Sequence, residues 1–214
     1  MAINPNTAHE NHHCMVSACS GGGKSQLIGQ QLIPKGAGHR VLLWDPDEDY
    51  KANRFFDRSE YARAVAAGVR SGRGFRLAYS GNPTIDNFRW WCSVVWAALD
   101  GSKTTHIIIE ELADVSPSAG KALPEFGELL RKGRKYGARL VMATQRGTEI
   151  PKTAWTQVRY RYIGQQEMAD RQRLAKEAGI SAEAIAALQP LQFWHKQSGA
   201  ADPTKVIIKY RKIN

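Results

Sequence analysis

The stretch Ser17-Ala18-Cys19-Ser20-Gly21-Gly22-Gly23-Lys24-Ser25 constrains this chain more than any other feature. It follows a short apolar run and precedes a helix-forming segment, Gln26 to Ile33. Three consecutive glycines let the backbone curl until its N–H groups converge on an anion, and a helix starting there turns its positive end to the same point. Lys24 is then placed to reach the β and γ phosphates of a nucleotide, and Ser25 to hold Mg²⁺. Ser20, Gly21, Gly22, Gly23 and Gln26 complete the expected phosphate-binding positions, with ATP as the ligand. The full pattern has glycine where Ala18 stands. The three glycines that follow leave enough freedom for that one extra methyl group.

Length and composition bound what surrounds this loop. With 214 residues the chain is expected to form one α/β domain over residues 13–214, preceded by a flexible polar segment, residues 1–12. His9, His12 and His13 are read as part of that segment rather than as metal ligands. Three cysteines at no metal-like spacing suit a reducing compartment. The start MAINPNTAHENHH lacks an apolar signal core, and no apolar run reaches the ~20 residues of a membrane span, so no direct span is expected and the chain reads as intracellular. A formal charge of +10 makes nucleic acid the leading partner. The basic residues fall in groups: Arg54, Arg58, Arg63, Arg70, Arg73 and Arg76; Arg131, Lys132, Arg134, Lys135 and Arg139; Arg159 and Arg161; and Arg171, Arg173 and Lys176.

Apolar runs alternate with helical periods, which predicts a mostly parallel central sheet flanked by helices. Strands are expected near residues 13–18, 40–44, 74–79, 105–110, 138–144 and 158–163, and helices near 24–33, 58–70, 84–99, 121–136 and 167–178. Val41-Leu42-Leu43-Trp44 and Ile107-Ile108-Ile109 are continuously apolar, as in interior strands covered on both faces. Leu191–His195 and Val206–Tyr210 read as two further strands added antiparallel at one edge. Trp90, Trp91 and Trp96 lie on a helix that is apolar almost all round and are read as core, not as a stacking platform.

Two further motifs carry chemistry. Thr105 to Leu112 is a buried strand ending in Glu110 and Glu111, and such a strand delivers its last residues to the sheet edge where the glycine loop also lies. Glu110 is assigned to Mg²⁺ and Glu111 to activation of an attacking water. In Thr144-Gln145-Arg146, Gln145 sits at a strand tip where its amide can bond both a γ-phosphate and a water.

These segments resemble the HerA/FtsK superfamily of DNA-pumping P-loop ATPases, a RecA/FtsK-like fold. The likeness rests on the loop ending Lys24-Ser25, Trp44-Asp45-Pro46 followed by acids and Tyr50, Glu110-Glu111, the Gly133-Arg134-Lys135-Tyr136-Gly137 turn, and Ala143 to Arg146. The resemblance implies that Arg134 is an arginine finger acting on a neighbouring subunit, with Arg131 one helical turn earlier as the second choice. It also implies a homohexameric ring around double-stranded DNA. The chain has room for little beyond the motor, and so looks most like the small genome-packaging ATPases of tailless viruses with an internal membrane, such as the tectiviruses. That likeness implies a capsid or portal-vertex protein as partner, and action in the host cytoplasm or at the packaging vertex of the virion. Alternatives are a related motor in conjugation, segregation or phage export, a P-loop small-molecule kinase, and a nonhydrolysing nucleotide-gated DNA-binding protein. Finally, Cys19 inside the loop is expected to react with alkylating reagents faster than Cys14 or Cys92, and to be shielded by ATP.

Overall fold

The computed structural model describes residues 9–212. Among them nine strands form one sheet: β1 Cys14–Ser17, β2 Arg40–Trp44, β3 Asn53–Phe55, β4 Phe75–Tyr79, β5 Thr105–Ile109, β6 Ala138–Thr144, β7 Tyr160–Ile163, β8 Gln192–Gln197 and β9 Thr204–Ile207. Their order is β3-β4-β2-β5-β6-β1-β7-β8-β9. Every pairing from β3 to β7 is parallel, and β8 and β9 extend the β7 side antiparallel, as the sequence leads one to expect. The α-helices are α1 Lys24–Leu27, α2 Arg58–Ser71, α3 Ile85–Ala98, α4 Pro124–Lys132, α5 Lys152–Gln157, α6 Met168–Ala178 and α7 Ala182–Ala186.

Strand residues alternate between two cores because successive side chains point to opposite faces. Met15, Leu42, Trp44, Ile107, Ile109, Leu140 and Met142 face a large core built against α2 to α7. Cys14, Val16, Val41, Leu43, Ile108, Val141 and Ala143 face a smaller one that takes Leu27 and Ile28 from the helix after the glycine loop. Burial on both faces makes β2 and β5 continuously apolar, and both are interior. Trp91 is fully buried against Trp44 and Phe88 and donates to the Tyr61 hydroxyl at 2.9 Å. Trp90 and Trp96 pack on the same core, so the helix tryptophans are structural.

Several elements differ from the expectations. β3 has three residues, too few to show a period, and gains its place by pairing with β4 at the sheet edge. The helix expected over 24–33 is α-helical to Leu27 and continues as a π turn, Ile28–Leu32. The helix expected over 121–136 runs Pro124–Lys132 and tightens into a 3₁₀ turn, Gly133–Tyr136, where a Cβ on Gly133 would come 3.0 Å from that of Ala138. Of the expected flexible segment 1–12, residues 1–8 lie outside the described residues. The Asn11 amide donates to the Gln157 carbonyl at 2.8 Å, Glu10 pairs with Arg159 at 3.1 Å, and His13 is buried.

Candidate active site

β1 lies deep in the sheet, and the chain leaves it to cross over β6 and β5 before forming β2. At such a switch point the C-terminal ends of parallel strands open a crevice. The glycine loop leaves β1 there, beside the ends of β2, β5, β6 and β7. Gly21 and Gly23 have φ of 71° and 96°, a region that L side chains rarely adopt. Among the described residues the N–H groups of Gly23, Lys24, Ser25 and Gln26 donate to no other group of the chain. The Lys24 ammonium is buried and donates to the Ala18 carbonyl at 3.2 Å. The loop is thus a cradle of unpaired donors with a cation inside it, suited to an anion.

The structure explains why Ala18 can stand where the pattern has glycine. Its methyl group is fully buried in a space left by two other glycines: a Cβ on Gly22 would come 2.9 Å from it, and one on Gly164, at the end of β7, 2.8 Å. Small residues at three positions share one volume.

Glu110 and Glu111 both arrive at this edge, in different settings. Glu110 is 4% exposed and accepts a hydrogen bond from the Tyr50 hydroxyl. Burial pushes its carboxyl up to about 8; the Tyr50 bond and Lys24 oppose that shift and the charges of Asp49 and Asp45 reinforce it. Glu111 is half-buried in the left-handed region at φ 42°, which turns its carboxylate across to β6. There it accepts from the Thr144 hydroxyl at 3.2 Å and the Gln145 N–H at 2.9 Å. The structure therefore brings Glu111 and Gln145 together, with the Gln145 side chain exposed above them. Gln26 uses its side chain elsewhere, bonding the main chain of Arg211.

Four residues with no role in the sequence reading belong to the site. Asp49 accepts from the Ser25 hydroxyl at 2.7 Å. Tyr50, quoted in the motif without a role, caps Glu110. Both are held by Asp45, which is fully buried at the end of β2 and accepts from their N–H groups at 2.9 and 3.2 Å and from Arg54 at 2.9 Å. Gln166, just past β7, is buried with its amide donating to Ser17 at 3.1 Å and its carbonyl oxygen unpartnered. The cluster of acids after Trp44 is the signal for Asp49; Gln166 has none. Ser25, Asp49 and Glu110 make an all-oxygen donor set of the hard kind that Mg²⁺ takes, and a cation would offset the burial of Glu110. Among the described residues no group of three His, Cys, Asp or Glu side chains forms a metal site unaided.

The basic residues divide. Arg54 is a strut of the β2 turn, Arg58 pairs with Asp86, and Arg76 donates to the Pro34 carbonyl at 2.7 Å. Arg134 precedes β6 and donates to the His9 carbonyl, lining a cleft of about 250 Å³ with Glu10, His12 and Thr104. This is the opposite edge of the sheet from the glycine loop, one strand length or about 20 Å away. Arg131 is exposed on α4. Arg146, by contrast, is exposed at the Glu111 edge and pairs with Glu149 at 2.9 Å. No helix among the described residues is long and apolar enough to cross a membrane.

No protein-family model matches the chain. Its fold is similar to that of the genome packaging NTPase B204 from Sulfolobus turreted icosahedral virus 2 in complex with AMPPCP, with a TM-score of 0.77, 16% identity and coverage of 94% of this chain and 99% of that one. The bacterial conjugative coupling protein TrwB is also similar, with a TM-score of 0.68, 12% identity and coverage of 96% and 86%. Protein P9 of Pseudoalteromonas phage PM2 is 39% identical over 192 residues, covering 86% of this chain and 85% of P9. The chain thus belongs to the family of phage PM2 Protein P9 and shares the α/β fold of these two solved structures.

Proposed function

We propose that the chain is a Mg²⁺-dependent ATPase that drives double-stranded DNA into a preformed viral capsid. The observation that carries the catalytic part is the bond between Glu111 and the N–H of Gln145, at the same sheet edge as a loop of unpaired donors around Lys24. Lys24 and the loop N–H groups hold the β and γ phosphates. Glu111 takes the proton of the attacking water, and the exposed Gln145 amide orients that water. Ser25, Asp49 and Glu110 would hold Mg²⁺, which when bound would supply charge neutralisation to the phosphates. The packaging role is supported by likeness to a viral genome packaging NTPase, and a viral setting by kinship with a phage protein. On this reading a homohexamer surrounds the duplex, Arg134 or Arg131 reaches a neighbour's nucleotide, and a capsid or portal-vertex protein receives the motor in the host cytoplasm.

Phosphate release measured with and without duplex DNA tests it. Hydrolysis should be stimulated by DNA, lost with binding in Lys24→Ala, and lost without loss of binding in Glu111→Gln. Full turnover in Glu111→Gln, or phosphate passed to a small acceptor rather than to water, would overturn the assignment.

A further inference from the structure

The nucleotide reading above accounts for the phosphates and leaves the base without a partner. We infer that Tyr210 is the surface on which the base stacks, so that the C-terminal tail completes the nucleotide site; the inference rests on that reading. Two clefts open on the glycine loop. One, of about 310 Å³, lies between Gly21, Gly23 and Lys24 on one side and Pro190, Leu191 and Tyr210 on the other. The second, of about 540 Å³, runs past Ser25, Asp49 and Lys212, and Tyr210 borders it as well. A molecule whose phosphates occupy the loop extends past Tyr210 by either route.

The ring is presented rather than packed. Tyr210 is 74% exposed, the most exposed of the large apolar side chains among the described residues. Its backbone is nevertheless fastened on both sides. Ile208 is buried and donates to the Leu191 carbonyl at 3.0 Å, and the Gln30 amide donates to the Lys209 carbonyl at 2.9 Å. The Gln26 amide exchanges two hydrogen bonds with the main chain of Arg211, at 2.8 and 2.9 Å. Gln26 adjoins Ser25, so the tail is tied to the loop itself. An exposed aromatic side chain on a held backbone gives up little freedom when a flat ligand covers it. The facing wall is apolar: Leu191, at φ 67°, donates to the Gly22 carbonyl at 3.1 Å and puts its side chain where a Cβ on Gly23 would lie, 2.6 Å from the Leu191 methyl. The Lys209 carbonyl is taken by Gln30 and both main-chain groups of Arg211 by Gln26.

The test compares ATP with inorganic tripolyphosphate, which has phosphates and no base, by calorimetric titration of the full chain in Mg²⁺. Tyr210→Ala should weaken ATP about 5- to 150-fold, the range for losing one base–aromatic stack, and leave tripolyphosphate within about twofold. Tyr210→Phe should restore ATP binding. ATP affinity unchanged in Tyr210→Ala, equal weakening of both ligands, or failure of Phe to rescue would overturn the stacking role while leaving the phosphate site intact. A wild-type chain that binds neither ligand would instead remove the nucleotide reading, and this inference with it.

Discussion

The shared volume of Ala18, Gly22 and Gly164 makes Gly164→Ala a sharp probe of the loop. The new methyl would lie 2.8 Å from the Ala18 Cβ and 2.9 Å from a ring carbon of Phe193, both closer than real Cβ contacts allow. Gly164 is held by its N–H to the Ser17 carbonyl at 2.8 Å, so it cannot drift away without loosening the end of β1. Overpacking of this kind costs about 1–3 kcal/mol. Ala18→Gly alone removes one buried methyl group and adds backbone freedom, for roughly 1–2 kcal/mol. In the double variant the methyl group added at position 164 enters the space vacated at position 18, while the Phe193 contact persists. The two changes should therefore couple favourably by about 1 kcal/mol, well outside the roughly 0.5 kcal/mol within which independent sites add. Urea unfolding of the four proteins measures the coupling, and ATP titration of the same set follows the loop. Additive losses, or a Gly164→Ala chain as stable as wild type, would refute the shared-volume account of Ala18.

The remaining expectations concern other parts of the molecule. His13 is buried with its Nδ1 accepting from the Leu140 N–H at 3.2 Å, and burial lowers its pKa to about 4, with the Arg134 charge adding to the shift. The unfolded chain takes up that proton first, so the His13 contribution is complete above about pH 6.5 and is lost as pH falls to about 4, up to about 3 kcal/mol. Glu110 acts with the opposite sign, because its raised pKa makes stability fall between about pH 4.5 and 8. Between about pH 4 and 6.5 urea midpoints should thus rise less, or fall more, with increasing pH in His13→Asn than in wild type, and identical pH dependence would exclude the His13 contribution. Cys14 and Cys92 are buried and burial pushes both thiols up, whereas Cys19 is partly exposed in the loop. Alkylation mapped by mass spectrometry should find Cys19 first and slow with Mg-ATP; labelling indifferent to ATP would detach the thiol from the site. Arg134 stands about 20 Å from its own chain's loop, so mixing Arg134→Ala with Lys24→Ala chains should restore some hydrolysis at mixed interfaces. No rescue at any ratio, with mixed assemblies confirmed, would shift attention to Arg146 at the catalytic edge.

Much of this was legible in order along the chain. The glycine loop between strand and helix, the continuous apolar runs of β2 and β5, and the paired glutamates closing β5 are local patterns, and local backbone and solvation preferences are enough to read them. The antiparallel pair at the C-terminal edge followed from the same alternation. What sequence could not decide was anything made by residues far apart. Tyr50 meets Glu110 across 60 positions and Gln26 meets Arg211 across 185. The room for the Ala18 methyl depends on Gly164, which arrives from the end of β7. The two adjacent glutamates look alike in the sequence, yet the αL turn at Glu111 carries one across to β6 while burial holds the other against Tyr50. Such differences arise when parallel strands bring their C-terminal ends to one edge. Close packing there sets the volume and the dielectric around each side chain, and neither is a property of its neighbours in sequence.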